Sequence, residues 1–168
     1  MARLVLSDAS PLIGLSIVNG LGWLEKLFGT VWMPPEVRKE VLPGLGLRGE
    51  PAIKAALKSG VLREWKRAVA VSSKLVPPNL DEGETACIRI ALARAARGDV
   101  PLLLMDERAG RAVALEHGLR IAGTAAVIGM AKKQGLIPSA KAAFALLHGS
   151  DFRISPDVIR IVLAHAGE

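Results

Sequence analysis

RLVLSDASP, residues 3–11, holds an apolar run, an aspartate and a helix start in close succession. The run from Arg3 to Ser7 is too short for a helix and reads as a buried strand. Ser10 followed by Pro11 supplies an N-cap and a proline at the first helical position. A helix is therefore expected from there to about Val18, ended by Asn19-Gly20. Asp8 stands between strand and helix with no capping duty left to it. The same phrase returns in LLLMDERAGR, residues 102–111: a strand over Leu102 to Met105, then Asp106, then a helix from Glu107 to His117 stopped by Gly118. In a parallel sheet both aspartates lie at the carboxyl edge, where open α/β folds place their ligands. For Asp106 the rival role of helix N-cap is equally good.

Between and beyond these two phrases the pattern keeps alternating. A short amphipathic helix over Trp23 to Phe28 precedes a strand from Thr30 to Met33. Pro34-Pro35 opens a helix to about Leu42, which Pro43-Gly44 stops. A helix from Glu50 to Ser59 and a strand near Val61 to Trp65 follow. The weakly patterned stretch to Pro77-Pro78 reads as a mobile loop. The longest helix begins after Asp81 and runs to about Arg97, with Gly98 as its terminator. After a short strand at Arg120-Ile121, helices are expected near 124–134, 139–148 and 155–166. Strands alternating with helices predict an α/β fold with a mainly parallel sheet.

Composition narrows the function classes. The chain has 168 residues, 51% hydrophobic and 23% charged, which suits a single domain over 1–168 with a full core and argues against disorder. The apolar N-terminal stretch from Leu4 to Leu24 is broken by Asp8, Asn19, glycines and a proline. It is expected to be neither a signal peptide nor a membrane span, and a cytoplasmic protein without membrane contact is expected. A net charge of +6 favours polyanionic partners such as RNA or DNA. Cys87 is the only cysteine, and His117, His148 and His165 are far apart, so no zinc or disulfide framework exists and any metal must be held by oxygen.

Helix geometry separates two neighbouring glutamates. At about 100° per residue, Cys87, Ile88, Ala91, Leu92 and Ala95 fall near the direction of Glu84, whereas Glu82 points away. An acid at the head of a buried stripe needs a reason. The bland one is a capping box between Asp81 and Glu84, compatible with a ligand role only if the carboxylate does not fold back. Glu40, in PPEVRKEV, sits one turn past Val37 on the edge of the buried side, and taken singly it reads as a solvated charge; Glu36 is the better first-turn dipole partner. Four carboxylates, Asp8, Glu40, Glu84 and Asp106, from two strand ends and two helices, would repel one another unless a cation were present. All-oxygen ligation suits Mg²⁺ or Mn²⁺, and such a site would hydrolyse phosphodiesters.

The order strand-Asp8-Ala9-Ser10, Glu40 in a proline-started helix, Gly83-Glu84 opening a helix and the LLLMDERAGR step resembles the PIN-domain nucleases over nearly the whole chain. GLIPS at 135–139 and Phe152-Arg153-Ile154-Ser155 further resemble a PIN-like subfamily close to the VapC-type toxins of toxin-antitoxin pairs. The resemblance implies a PIN-like three-layer α/β/α sandwich and a Mg²⁺- or Mn²⁺-dependent ribonuclease. It assigns catalytic roles to Asp8, Glu40, Glu84 and Asp106, metal ligation to Asp8, Glu84 and Asp106, and a supporting hydroxyl to Ser10. The implied partners are an RNA substrate, a cognate antitoxin and a second copy in a homodimer, for which the early helices with Trp23 and Phe28 offer apolar surface. One departure stands out: many PIN enzymes carry a further acid where this chain reads Ile121-Ala122-Gly123-Thr124, so Thr124 would be left to hold a water and a single ion is the simpler expectation. Arg108 and Arg111, one helical turn apart, are either phosphate contacts or a solvated face.

Other chemistries fit less well. A haloacid-dehalogenase-type phosphatase needs a second aspartate where Ser10 stands. A nucleotide-binding loop needs glycines that SDASPLIG lacks. A non-catalytic RNA-binding or partner-binding protein needs no carboxylate cluster, and metal titration would separate it from the nuclease; with aromatics at 4% and no tyrosine, base stacking is an unpromising basis for such a surface.

Overall fold

The structure, a computed structural model, describes residues 3–168; Met1 and Ala2 of the expected 1–168 domain lie outside the described residues. Five short strands form one sheet: β1 (Val5–Ser7), β2 (Val31–Met33), β3 (Leu62–Glu64), β4 (Leu102–Leu104) and β5 (Arg120–Ala122). Every pairing is parallel, in the order β3-β2-β1-β4-β5. Successive strands pass to one side of β1 and then to the other, so the topological switch point lies between β1 and β4. Their register sets Ser7 opposite Leu104, which brings the residues after both strands to one end of the sheet.

The helices fill the crossovers that a parallel sheet requires. They are α1 (Ala9–Ile17), α2 (Leu21–Phe28), α3 (Pro35–Val41), α4 (Glu50–Ser59), α5 (Glu82–Ala95), α6 (Arg108–Glu116), α7 (Thr124–Lys133), α8 (Ala140–His148) and α9 (Pro156–Ala166), with a 3-10 helix at Ser73–Leu75. This is the expected α/β architecture with a parallel central sheet. β1 and β4 are buried along their whole length. Leu12 and Leu15 of α1, Ile88 of α5 and Ile128 of α7 are among the fully buried side chains packed with them in one continuous core. No helix among the described residues is long and apolar enough to cross a membrane.

Three local expectations change. α1 begins at Ala9 rather than after Ser10, because Pro11, lacking an N–H, costs nothing within a first turn whose N–H groups have no intrahelical acceptor; Asp8 takes the N-cap position with no side-chain capping bond. The stretch after β3 is not featureless but contains the 3-10 helix, whose start Ser72 caps through its hydroxyl. Trp23 and Phe28 are half-buried against the core rather than displayed.

Candidate active site

β1 ends at Ser7 and α1 starts at Ala9, so Asp8 is the single residue turning the chain from sheet to helix. Its N–H donates to the Leu104 carbonyl at 2.9 Å, extending the β1–β4 ladder one step and fixing the backbone. The side chain is 2% exposed, and Oδ1 has no hydrogen-bond partner. Burial lifts the Asp8 carboxyl to about 7; the Ala9 N–H offsets part of this, and the charges of Asp81, Glu84 and Glu40 add to the rise.

Glu84 lies on the buried face of α5 and Glu82 on its exposed face, as the helical period requires. The Glu84 carboxylate does fold back: Oε2 accepts from Asp81 N–H at 3.1 Å while Asp81 Oδ1 accepts from Glu84 N–H at 2.7 Å. The capping contact uses Oε2 alone. Oε1 remains buried and makes no well-formed hydrogen bond, although the Gly110 N–H is close enough to the carboxyl to hold it down somewhat. Burial first, then the charges of Asp81 and Glu107, raise this carboxyl.

Asp106 does not cap α6. Glu107 holds that N-cap position, again with no capping bond, and Asp106 reaches across to the next crossover. Its Oδ1 accepts from Thr124 N–H and its Oδ2 from Thr124 Oγ1, both at 2.7 Å. The close approach requires Gly123, where a Cβ would stand 2.8 Å from Asp106 Oδ1. Desolvation raises the Asp106 carboxyl while Thr124 and Arg111 pull it down.

Glu40 is exposed at the rim on α3, next to buried Val41. Its carboxyl is also raised, by partial burial and then by Asp81, Glu84 and Glu107. Asp81 and Glu107 therefore belong to the same field of negative charge. Asp81 reads from sequence only as a cap, and Glu107 attracts no notice beside Asp106. Their adjacency to Glu84 and Asp106 was the available signal.

Glycines clear the space around the two unpartnered oxygens. A Cβ at position 83 would lie 2.9 Å from Asp8 Oδ1, and one at position 110 would lie 2.7 Å from Glu84 Oε1. Buried carboxylate oxygens without donors are costly. Hard divalent cations take such oxygens and complete their shell with water. Asp8 and Glu84 thus fit a divalent cation. Among the described residues no three Asp, Glu, His or Cys side chains converge closely enough to hold one by themselves, since Asp106 is turned to Thr124 and Glu40 stays at the rim.

A family model described as PIN domain matches residues 4–168. The chain belongs to the PIN-domain family. PIN domains are typically nucleases and generally use divalent metal ions. Comparison with curated proteins and with solved structures gives no match.

In this PIN domain the Ile121-Ala122-Gly123-Thr124 stretch offers Asp106 the two donors of Thr124 in place of a further acid. Thr124 is fully buried, and its hydroxyl is committed to Asp106. Arg111 is half-buried and turned inward: Nη1 donates to the Met105 carbonyl at 2.8 Å and would lie 3.2 Å from a Cβ on Gly123. It neutralises the neighbourhood of Asp106 from within the protein. Arg108 is exposed on the first turn of the same helix, and Ser10 is half-buried in the first turn of α1.

Proposed function

We propose that this PIN domain is a metal-dependent endoribonuclease that hydrolyses RNA phosphodiester bonds with Mg²⁺ or Mn²⁺, acting as the toxin of a toxin-antitoxin pair. The observation that carries the reading is the pair of buried carboxylate oxygens that make no well-formed hydrogen bond, Asp8 Oδ1 at the end of β1 and Glu84 Oε1 in the first turn of α5. These two residues would hold the ion, with Asp106 supporting it. A bound divalent ion supplies Lewis-acid polarisation of a phosphoryl oxygen and lowers the pKa of a coordinated water.

The chain's own residues divide the remaining tasks. Thr124 and Arg111 keep Asp106 in one orientation. Glu40, exposed and with a raised carboxyl, is placed to accept the proton of an attacking water at its Oε atoms. Arg108 is free to meet a phosphate, and Ser10 to hold a water at the start of α1. The toxin role rests on the GLIPS and FRIS resemblance. Leu45 and Leu47, 77% and 52% exposed on a loop whose N–H groups donate to the Glu50 carboxylate at 3.1 Å, are apolar surface of the kind an antitoxin or a second copy would cover.

The commitment of Asp106 to Thr124 favours a second reading, a non-catalytic RNA- or partner-binding protein on the same fold. Incubation of purified protein with 5′-labelled single-stranded RNA separates the two. The nuclease reading expects cleavage with Mn²⁺ or Mg²⁺, none in EDTA, and a loss of about 100-fold or more in Asp8→Asn. RNA binding without metal-dependent cleavage would establish the second reading instead.

A further inference from the structure

A groove of about 870 Å³ lies beside the acids rather than over them, between α3, the chain leaving β3 and the first half of α5. It opens at the carboxyl edge of the sheet, where β2 and β3 end. That places it about two strand spacings, roughly 10 Å, from the Asp8 turn. The two sites share their helices: Lys39 precedes Glu40 on α3, and Glu82 precedes Glu84 on α5.

The lining carries four cations and three carboxylates, and the carboxylates are occupied more fully than the cations. Lys39, Lys66, Arg67 and Arg89 line it, and none of them enters an ion pair among the described residues. Of the acids in the groove, Glu64 is paired with Arg38 at 3.2 Å, and Glu36 and Glu82 sit in helix first turns, where the helix dipole favours them. Trp65 packs edge-on against Trp32 with centroids 5.8 Å apart, and its Nε1 donates to the Arg67 carbonyl at 2.8 Å, which fixes the turn bearing Lys66 and Arg67. Arg89 is anchored at one end, Nη2 donating to the Val71 carbonyl at 3.2 Å, while its Nε is buried without an acceptor. A tethered arginine in the groove wall beside three cations without ion pairs suits an anion with several oxygens.

We propose that this groove carries the phosphodiester backbone of single-stranded RNA to one side of the scissile bond, with Arg89 as the inner phosphate anchor and Lys66 and Arg67 as outer contacts. The inference rests on the nuclease reading above. A linear polyanion crossing the acids must continue along the sheet edge, and this groove is the continuation over β2 and β3. An acidic protein segment would meet the same cations but has no reason to pass over Asp8.

The test is fluorescence anisotropy of a labelled single-stranded 12-mer RNA in Ca²⁺ over a range of salt concentrations, with circular dichroism to verify folding. Each lost phosphate contact reduces the slope of log affinity against log salt by about 0.7. Lys66→Ala and Arg67→Ala, combined in one variant, should weaken binding roughly tenfold and flatten the slope by about 1.4. The control pair Lys58→Ala and Lys133→Ala removes the same charge in the last turns of α4 and α7, helices whose ends point away from the carboxyl edge, and should change neither. Equal losses in both pairs, or no loss at Lys66 and Arg67 while wild type binds, would overturn the groove and leave the nuclease reading to its cleavage assay. Wild type that fails to bind RNA at any salt concentration would remove both.

Discussion

Asp106 takes two hydrogen bonds from one residue, the N–H and the hydroxyl of Thr124, each at 2.7 Å. The pair ties the end of β4 to the start of α7 and satisfies a half-buried carboxylate without an external ion. Thr124→Val keeps the N–H bond and removes the hydroxyl. It should cost about 1–2 kcal/mol, a fall in Tm of roughly 2–8 °C for a chain of this size. Thr124→Ser should recover most of that loss. Thermal denaturation of the two variants reads the difference, and an unchanged Tm in Thr124→Val would mean the hydroxyl bond contributes nothing.

The Asp8 carboxyl gives a pH signature. In the folded protein it keeps its proton to about pH 7, whereas the unfolded chain releases it near 3.8. Between those values the folded state binds more protons, so stability declines as pH rises through the window. Asp8→Asn lacks that decline. In EDTA its Tm should match wild type near pH 4 and exceed it by several degrees above pH 7. Mn²⁺ should then raise the Tm of wild type by mass action and leave the variant unmoved.

Glu84→Gln separates the two oxygens of that side chain. Glutamine can still accept from Asp81 N–H, since capping boxes use either residue, so stability should shift by less than about 0.5 kcal/mol. The anionic oxygen is lost, and Mn²⁺ stabilisation and cleavage should go with it. Glu84→Ala removes both and should additionally lose about 1 kcal/mol of capping. Glu82→Gln, on the exposed face, should leave Mn²⁺ stabilisation unchanged.

Gly110→Ala probes the cleared space directly. The added methyl would meet Glu84 Oε1 at 2.7 Å and the Sδ of buried Met105 at 2.6 Å, so both side chains must shift. Alanine also favours the helix by about 1 kcal/mol. The variant should fold with a Tm close to wild type yet bind Mn²⁺ several-fold more weakly in calorimetric titration, because Glu84 is displaced.

What was legible in the sequence was whatever a local period dictates. The strand-Asp-helix phrase placed Asp8 and Asp106 at the sheet edge, and the 3.6-residue period told Glu84 from Glu82. Side-chain direction was not legible where it depends on distant neighbours. Asp106 turns from its own helix because the β4–β5 register, with Met105 N–H donating to Ala122 O at 2.9 Å, sets Thr124 beside it, and nothing local to Asp106 signals that. The start of α1 was misread for a different reason: Ser10-Pro11 is a strong helix-start signal, but a proline fits anywhere in a first turn. The basic groove was hidden because the chain between β3 and α5 has no apolar period, so its tethers through Trp65, Arg89 and His117, whose Nε2 lies 2.8 Å from the Leu75 carbonyl, emerge only with the fold.

In the proposed site Asp8 Oδ1 and Glu84 Oε1 together hold a divalent cation. Anomalous diffraction from crystals soaked in Mn²⁺ at neutral pH tests it most directly. One anomalous peak is expected within about 2.0–2.4 Å of both oxygens, absent from Asp8→Asn crystals soaked in the same way. A peak elsewhere, or none between Asp8 and Glu84 in wild type, would contradict it.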